Sequence, residues 1–367
     1  MPRTPDLETD DLDAVPPPHP VFYIEQALLG ALLLEPRYLD DVTGVAPASF
    51  STAAHTALFG AICSLPAPDP AEHATSTKWL DQVLAAARDQ ARGLSALYLQ
   101  TLIQVCPWAQ HAPAYARIVE AEHSRRRLAA AAERLMHTAR DASLPQRVAA
   151  TLAKAEDVTG VVDDIAARFP PHAGSLPRTP TPVPATHHDE EALDEERLLL
   201  ATSTAHASSV AQMRWLVPGD FTHSLHAGLW QCLTAVTRRG TPVDRVTVLW
   251  EAQRRGLLSP GAKPRELLDL LAGTVGSPEH WGERILQRSV LTTAHHVGQR
   301  IKSFTDDQAT TPYQLVAGSR RALADLSSIR ARWQHTTSPK PESKPASARA
   351  TAAPRAGPPR TTARSSR

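Results

Sequence analysis

A chain of 367 residues is long enough for two or three domains. Its 39 Lys and Arg against 38 Asp and Glu leave no global field of the kind that marks a nucleic-acid or membrane-surface protein. Cys63, Cys106 and Cys232 lie too far apart for a disulfide framework or a zinc motif, and no basic, apolar leader opens the chain, so a soluble cytoplasmic protein is expected.

Residues 1–20 gather Asp6, Glu8, Asp10, Asp11 and Asp13 against Arg3 alone, among prolines, and are expected to be disordered. The stretch IEQALLGALLLEP, Ile24 to Pro36, then holds eight consecutive residues, Ala27 to Leu34, without a polar side chain. That is well short of the roughly 20 needed to cross a bilayer, and Ala and Leu favour helix, so a helix buried on nearly every face is predicted. KWLDQVLAAARDQAR reads as a further helix, started by Thr77 and stopped by Gly93. A long helical hairpin is expected over about 112–158, with Pro145 in the first turn of its second helix. It carries Arg125, Arg126 and Arg127, the densest basic cluster of the ordered chain. These three form either a solvated face, balanced by Glu122 and Glu133, or a contact for a partner protein or nucleic-acid phosphates.

Prolines from Arg168 to Glu191 predict a disordered linker, set at 161–189, between ordered segments 21–160 and 190–335. In the second segment Asp244 should cap a helix whose apolar positions Val246, Leu249 and Trp250 share a face, and Gly256 should end it. A second hairpin is expected over about 278–333, with Pro312 opening its last helix. Residues 336–367 form a Pro-rich tail in which Lys340, Lys344, Arg349, Arg355, Arg360, Arg364 and Arg367 face Glu342 alone. Arg355, Arg360 and Arg364 are therefore further candidate phosphate contacts. Both segments are rich in Ala, Leu, Arg and Glu and nearly free of alternating apolar runs, which predicts an all-α fold.

The two segments also repeat one another. A shift of 171 residues places Glu25 on Glu196, Leu28 on Leu199, Leu29 on Leu200, Pro47 on Pro218 and Phe50 on Phe221. His55 falls on His226, Leu58 on Leu229 and Phe59 on Trp230 in the same register. Ser49 meets Asp220, two residue types that do the same capping work. Further on, YARIVEAEHSRRRL parallels GERILQRSVLTTAH after a deletion of four residues, pairing Arg117 with Arg284. A register kept across two helices and a loop indicates a duplication.

One unit consists of an E-Q-x-x-L-G-A-L-L helix, a D-F or S-F loop, an H-x-x-L-aromatic helix, a P-V-D-x-V-T-V helix and a long helix opening Y-A-R-I-V. This order resembles the N-terminal domain of the DnaB-like replicative helicases. The first copy carries Glu25-Gln26, Gly30 to Leu33, Phe50, His55 and Tyr115 to Val119 followed by Arg126-Arg127-Leu128. The second carries Asp220-Phe221, His226 and Pro242-Val243-Asp244 to Gly256-Leu257. It departs from the pattern at its first helix, as the first copy does at PAPDPAEHATS. The resemblance implies two helical heads, each followed by a hairpin, with the Ala27–Leu34 helix central to its head and Gly30 allowing a close helix approach. In that family hairpins from two chains pair, and three pairs close a ring; here both hairpins lie on one chain.

The family's motor domain carries a G-x-x-x-x-G-K-[ST] phosphate loop, and no such sequence occurs in these 367 residues. No catalytic elbow, zinc-peptidase motif or catalytic-cysteine context is present either. His55 and His226 suit structural histidines; His223 and His226 stand at a spacing that could share a metal, without further nameable ligands. The expectation is a non-catalytic replication protein, without cofactor or metal, that binds or imitates the helicase collar. Its partners would be the replicative helicase, primase or loader, with self-association into a collar-like assembly. The competing expectations are a DNA-binding regulator that adds the basic tail to the same fold, and a remnant of a helicase.

Overall fold

In the computed structural model, residues 19–171, 190–258, 263–273 and 276–337 are described, and every regular element among them is helical. The first head holds α1 (Pro20–Leu34), α2 (Ala53–Ser64), α3 (Pro70–His73), α4 (Lys78–Arg88) and α5 (Ala96–Val105). Leu28, Leu29, Leu32 and Leu33 of α1 are fully buried, as their unbroken apolar run requires. Thr52 caps α2 by accepting the His55 N–H at 3.1 Å, and Ser95 caps α5 by accepting that of Tyr98 at 3.2 Å. Gly30 does allow the close approach: a Cβ there would stand 2.0 Å from the Leu102 carbonyl oxygen of α5.

Helix α4 corrects one expectation. It stops at Arg88, and Gly93, at φ +90°, lies in a turn beyond it. Thr77 precedes the helix without capping it and donates instead to Asp81 at 3.2 Å. The turn is closed by Arg88, whose Nε donates to the Leu94 carbonyl at 2.9 Å.

The first hairpin joins α6 (Ala112–Arg140) to α7 (Arg147–Arg168). Pro145 precedes α7 by two residues and belongs to the turn, not to the helix. The linker boundary also moves: α7 continues through 161–168, because Val158, Val162, Ile165 and the following Phe169 extend one buried stripe.

The second head holds α8 (Glu190–Ala205), α9 (Ala207–Gln212), α10 (Ser224–Arg238), α11 (Arg245–Arg254) and α12 (Pro264–Leu270). Glu190 and Glu191, at the end of the Pro-rich stretch, form the first turn of α8. Asp244 caps α11 as expected, accepting the Val246 and Thr247 N–H groups at 2.8 Å, and Gly256 lies beyond its end at φ +66°. The buried face is nevertheless the other one. Val248, Glu251 and Ala252 point inward, while Val246 and Trp250 are 66% and 65% exposed. Apolarity misidentifies this face because one inward residue is a glutamate, neutralised by Arg239 and Arg255 at 2.8 Å each.

The second hairpin joins α13 (Pro278–Asp306) to α14 (Pro312–Thr337), Pro312 opening α14 as predicted. Helices α6 and α13 are each 29 residues long, in keeping with the repeat. The two hairpins pack together, α6 on α13 and α7 on α14. One apolar core therefore runs through both hairpins into the second head, and a separate one fills the first head, closed by Ala112, Ala116 and Val119 of α6.

Candidate functional site

The hairpin pair is the structure's largest joint between the two copies. Ala132 and Met136 of α6 receive Gly298 of α13, where a Cβ would stand 2.4 Å from Met136 Cγ. Towards the start of α6, Glu133 meets Lys302 at 3.3 Å, and Arg125 meets the turn after Asp306. Contacts thus climb one helix as they descend the other, so the helices run antiparallel. Arg320 of α14 pairs with Asp163 of α7 at 2.8 Å and Arg330 pairs with Glu156, in the same antiparallel sense. Exposed pairs of this kind contribute about 0–1 kcal/mol each, so the apolar stripes between them carry the joint. A groove of about 470 Å³, lined by Met136, His137, Arg140, His295, Lys302 and Asp306 among others, runs beside the α6–α13 crossing.

The three clustered arginines have separate partners. Arg125 is 9% exposed; its Nη1 donates to the carbonyls of Thr305 at 3.1 Å and Asp307 at 2.8 Å, and its Nη2 to that of Thr310 at 2.5 Å. The last carbonyls of α13 lack intrahelical donors and sit at the negative end of its dipole, so a buried guanidinium suits them. Arg125 therefore belongs neither to a solvated face nor to a surface open to a partner. Arg126 donates to the Ser49 carbonyl at 2.6 Å and fastens the first head to the hairpin. Arg127, partly exposed, pairs with Asp164 at 3.0 Å. Arg355, Arg360 and Arg364 lie outside the described residues.

His123 stands beside this cluster. Burial, and then the charges of Arg126, Arg127 and Arg168, push it down to about 4. Between about pH 6.5 and 4 the unfolded chain takes up a proton that the folded chain refuses, so stability is complete above that window and falls as pH drops through it. The urea midpoint should accordingly be lower at pH 5 than at pH 7, and His123→Gln should remove most of that difference. An unchanged difference in the variant would place the acid sensitivity elsewhere.

Each head holds a buried Glu–His pair. His55 Nδ1 donates to Glu25 at 2.6 Å, and Glu25 also accepts the Ser51 N–H and hydroxyl, both at 2.8 Å. In the second head His226 Nδ1 donates to Glu196 at 2.7 Å, and Glu196 accepts the Thr222 N–H at 2.5 Å. All three members recur 171 positions on, so the duplication is present in geometry as well as in letters. The pair ties the first helix of a head to the start of the next helical segment, where a carboxylate also meets free backbone N–H groups. Ser49 and Asp220 cap equivalently: Ser49 Oγ accepts the Ala46 N–H at 3.1 Å, and Asp220 accepts that of Val217 at 2.9 Å.

The remaining sequence candidates resolve into structural roles. His223 Nδ1 accepts the Leu225 N–H and so caps α10, and no group of three metal-ligating residues occurs among the described residues. Arg117 lies over the Phe169 ring at 5.2 Å, whereas its repeat partner Arg284 pairs with Glu195. Sequence reading missed the partners of Asp220, which receives Arg332 at 2.5 Å and Ser289 at 2.9 Å. It also missed Glu251, whose carboxyl the Arg239 and Arg255 hydrogen bonds hold at about 2. No helix among the described residues is long and apolar enough to cross a membrane.

A family model, the DnaB-like helicase N terminal domain, matches residues 17–121 and again residues 188–283, together more than half of the chain. Each match covers one head and the opening turns of the hairpin that succeeds it. No curated protein and no solved structure matches the chain.

Proposed function

We propose that this chain, which belongs to the DnaB-like helicase N-terminal domain family, is a non-catalytic interaction module of DNA replication. The two matched segments indicate a helicase-related role; the packing of both hairpins into one bundle carries the finer reading. On this reading the bundle stands, within one polypeptide, for the pairing of hairpins from two chains expected of that family. Such a unit can bind a helicase collar, or stand in for one before primase or loader. No phosphate loop occurs in the 367 residues, and scattered Lys and Arg cannot replace its cradle of backbone N–H groups.

The test mixes the purified chain with the host's replicative helicase, primase and loader, one at a time, at micromolar concentration. Co-elution with at least one is expected, together with no DNA-stimulated ATP turnover by the chain alone. Failure to bind all three, or turnover abolished by a substitution within this chain, overturns the proposal.

A further inference from the structure

Among the described residues of the second head, Val246 and Trp250 are the large apolar side chains left most exposed, and they lie one turn apart on the outer face of α11. We propose that this face binds single-stranded nucleic acid, with Trp250 as the stacking platform and the arginines around it as phosphate contacts. The site goes beyond the reading above and does not depend on it.

Along the chain the residues flanking this face are rich in arginine: Arg245 precedes Val246, Arg254 lies one turn beyond Trp250 and reaches Glu251 at 3.9 Å, and Arg238 and Arg239 end α10, which packs on α11. The two nearby carboxylates are occupied. Asp244 accepts the first N–H groups of α11, and Glu251 is buried under Arg239 and Arg255. Arg238 and Arg245 have no carboxylate partner among the described residues. An apolar protein partner would have to cover this arginine rim and desolvate it, whereas a polyanion meets it directly. An exposed indole set among guanidiniums is the arrangement that holds a strand by stacking and charge together. Only an unpaired base offers its face to that indole, which selects single strands over duplex.

The experiment titrates the full chain with oligothymidine of about 20 nucleotides, and with oligouridine in parallel to read the sugar preference. Anisotropy and tryptophan quenching are measured together. Trp250→Ala should weaken binding about tenfold and remove much of the quenching, while Trp250→Phe keeps the affinity. Replacing Arg238 and Arg245 by Gln should flatten the log–log salt slope by about 1.4, or about 0.7 for each phosphate on a single strand. Trp250 is exposed, so its variants should keep the helical content and thermal midpoint, and circular dichroism checks both. Equal affinity in wild type and Trp250→Ala overturns the proposal, since binding would then reside elsewhere in the chain, the basic tail included. Equal affinity for polyglutamate, or tighter binding of a duplex of the same length, overturns it as well. Neither result bears on binding to helicase, primase or loader, which is measured separately.

Discussion

Gly30→Val is expected to unfold the first head while the paired hairpins and the second head stay folded. A Cβ at position 30 would stand 2.0 Å from the Leu102 oxygen, 2.8 Å from its carbonyl carbon and 2.9 Å from Cys106 Cβ. Two of those atoms are backbone, so no rotamer change relieves the clash and α5 must leave α1. Overpacking by side chains alone costs about 1–3 kcal/mol, and a displaced helix raises that to about 3 kcal/mol or more. The damage stays local because the first head has a core of its own. The second copy makes the opposite choice. Ala201 stands where Gly30 does, and a cleft of about 450 Å³ lined by Leu198, Ala201 and Leu270 separates α8 from α12. Ala201→Gly should therefore cost no more than about 1 kcal/mol, the ordinary penalty of glycine within a helix. Hydrogen exchange reads both variants. Undiminished protection of α1 and α5 in Gly30→Val would refute the close approach.

How much of each element the letters disclose depends on the range of the interactions that make it. Apolar run length, caps and repeat register depend on local chemistry, and so α1, the Asp244 cap and the two hairpins were legible. Both members of each Glu–His pair appeared in the aligned repeat, but a contact spanning 30 positions leaves no mark in sequence spacing. The inward face of α11 escapes an apolar count for a related reason: a buried glutamate counts as polar until its two arginines, one of them 12 residues away, are known. Arg125 is the same case at longer range. Three adjacent arginines look like a surface cluster, yet one of them reaches carbonyls 180 to 185 residues away. Local rules cannot find a ligand set made of backbone oxygens in another hairpin.

That guanidinium also sets the second large effect. With a protease site placed between Phe169 and Glu190, the cleaved chain is expected to remain one particle, its halves held by α6 on α13 and α7 on α14. The intact linker gives the hairpins an effective concentration of order millimolar, and cleavage removes that advantage. Association must then rest on the interface, where Leu128, Ala131, Ala132 and Leu135 of α6 share one continuous buried core with Val297 and Ile301 of α13. Arg125→Met keeps the volume but withdraws the donors from three carbonyls, a loss of about 3 kcal/mol or more for charge-assisted bonds at a buried site. The cleaved variant should thus dissociate at concentrations more than about a hundredfold higher than the cleaved wild type. Light scattering on the uncleaved protein should give the mass of one chain, or of three if the paired hairpins go on to close a collar. A stable two-chain species would mean that hairpins pair between molecules and not within them. Halves that separate at micromolar concentration after cleavage would show that the linker, and not the bundle, holds the two copies together.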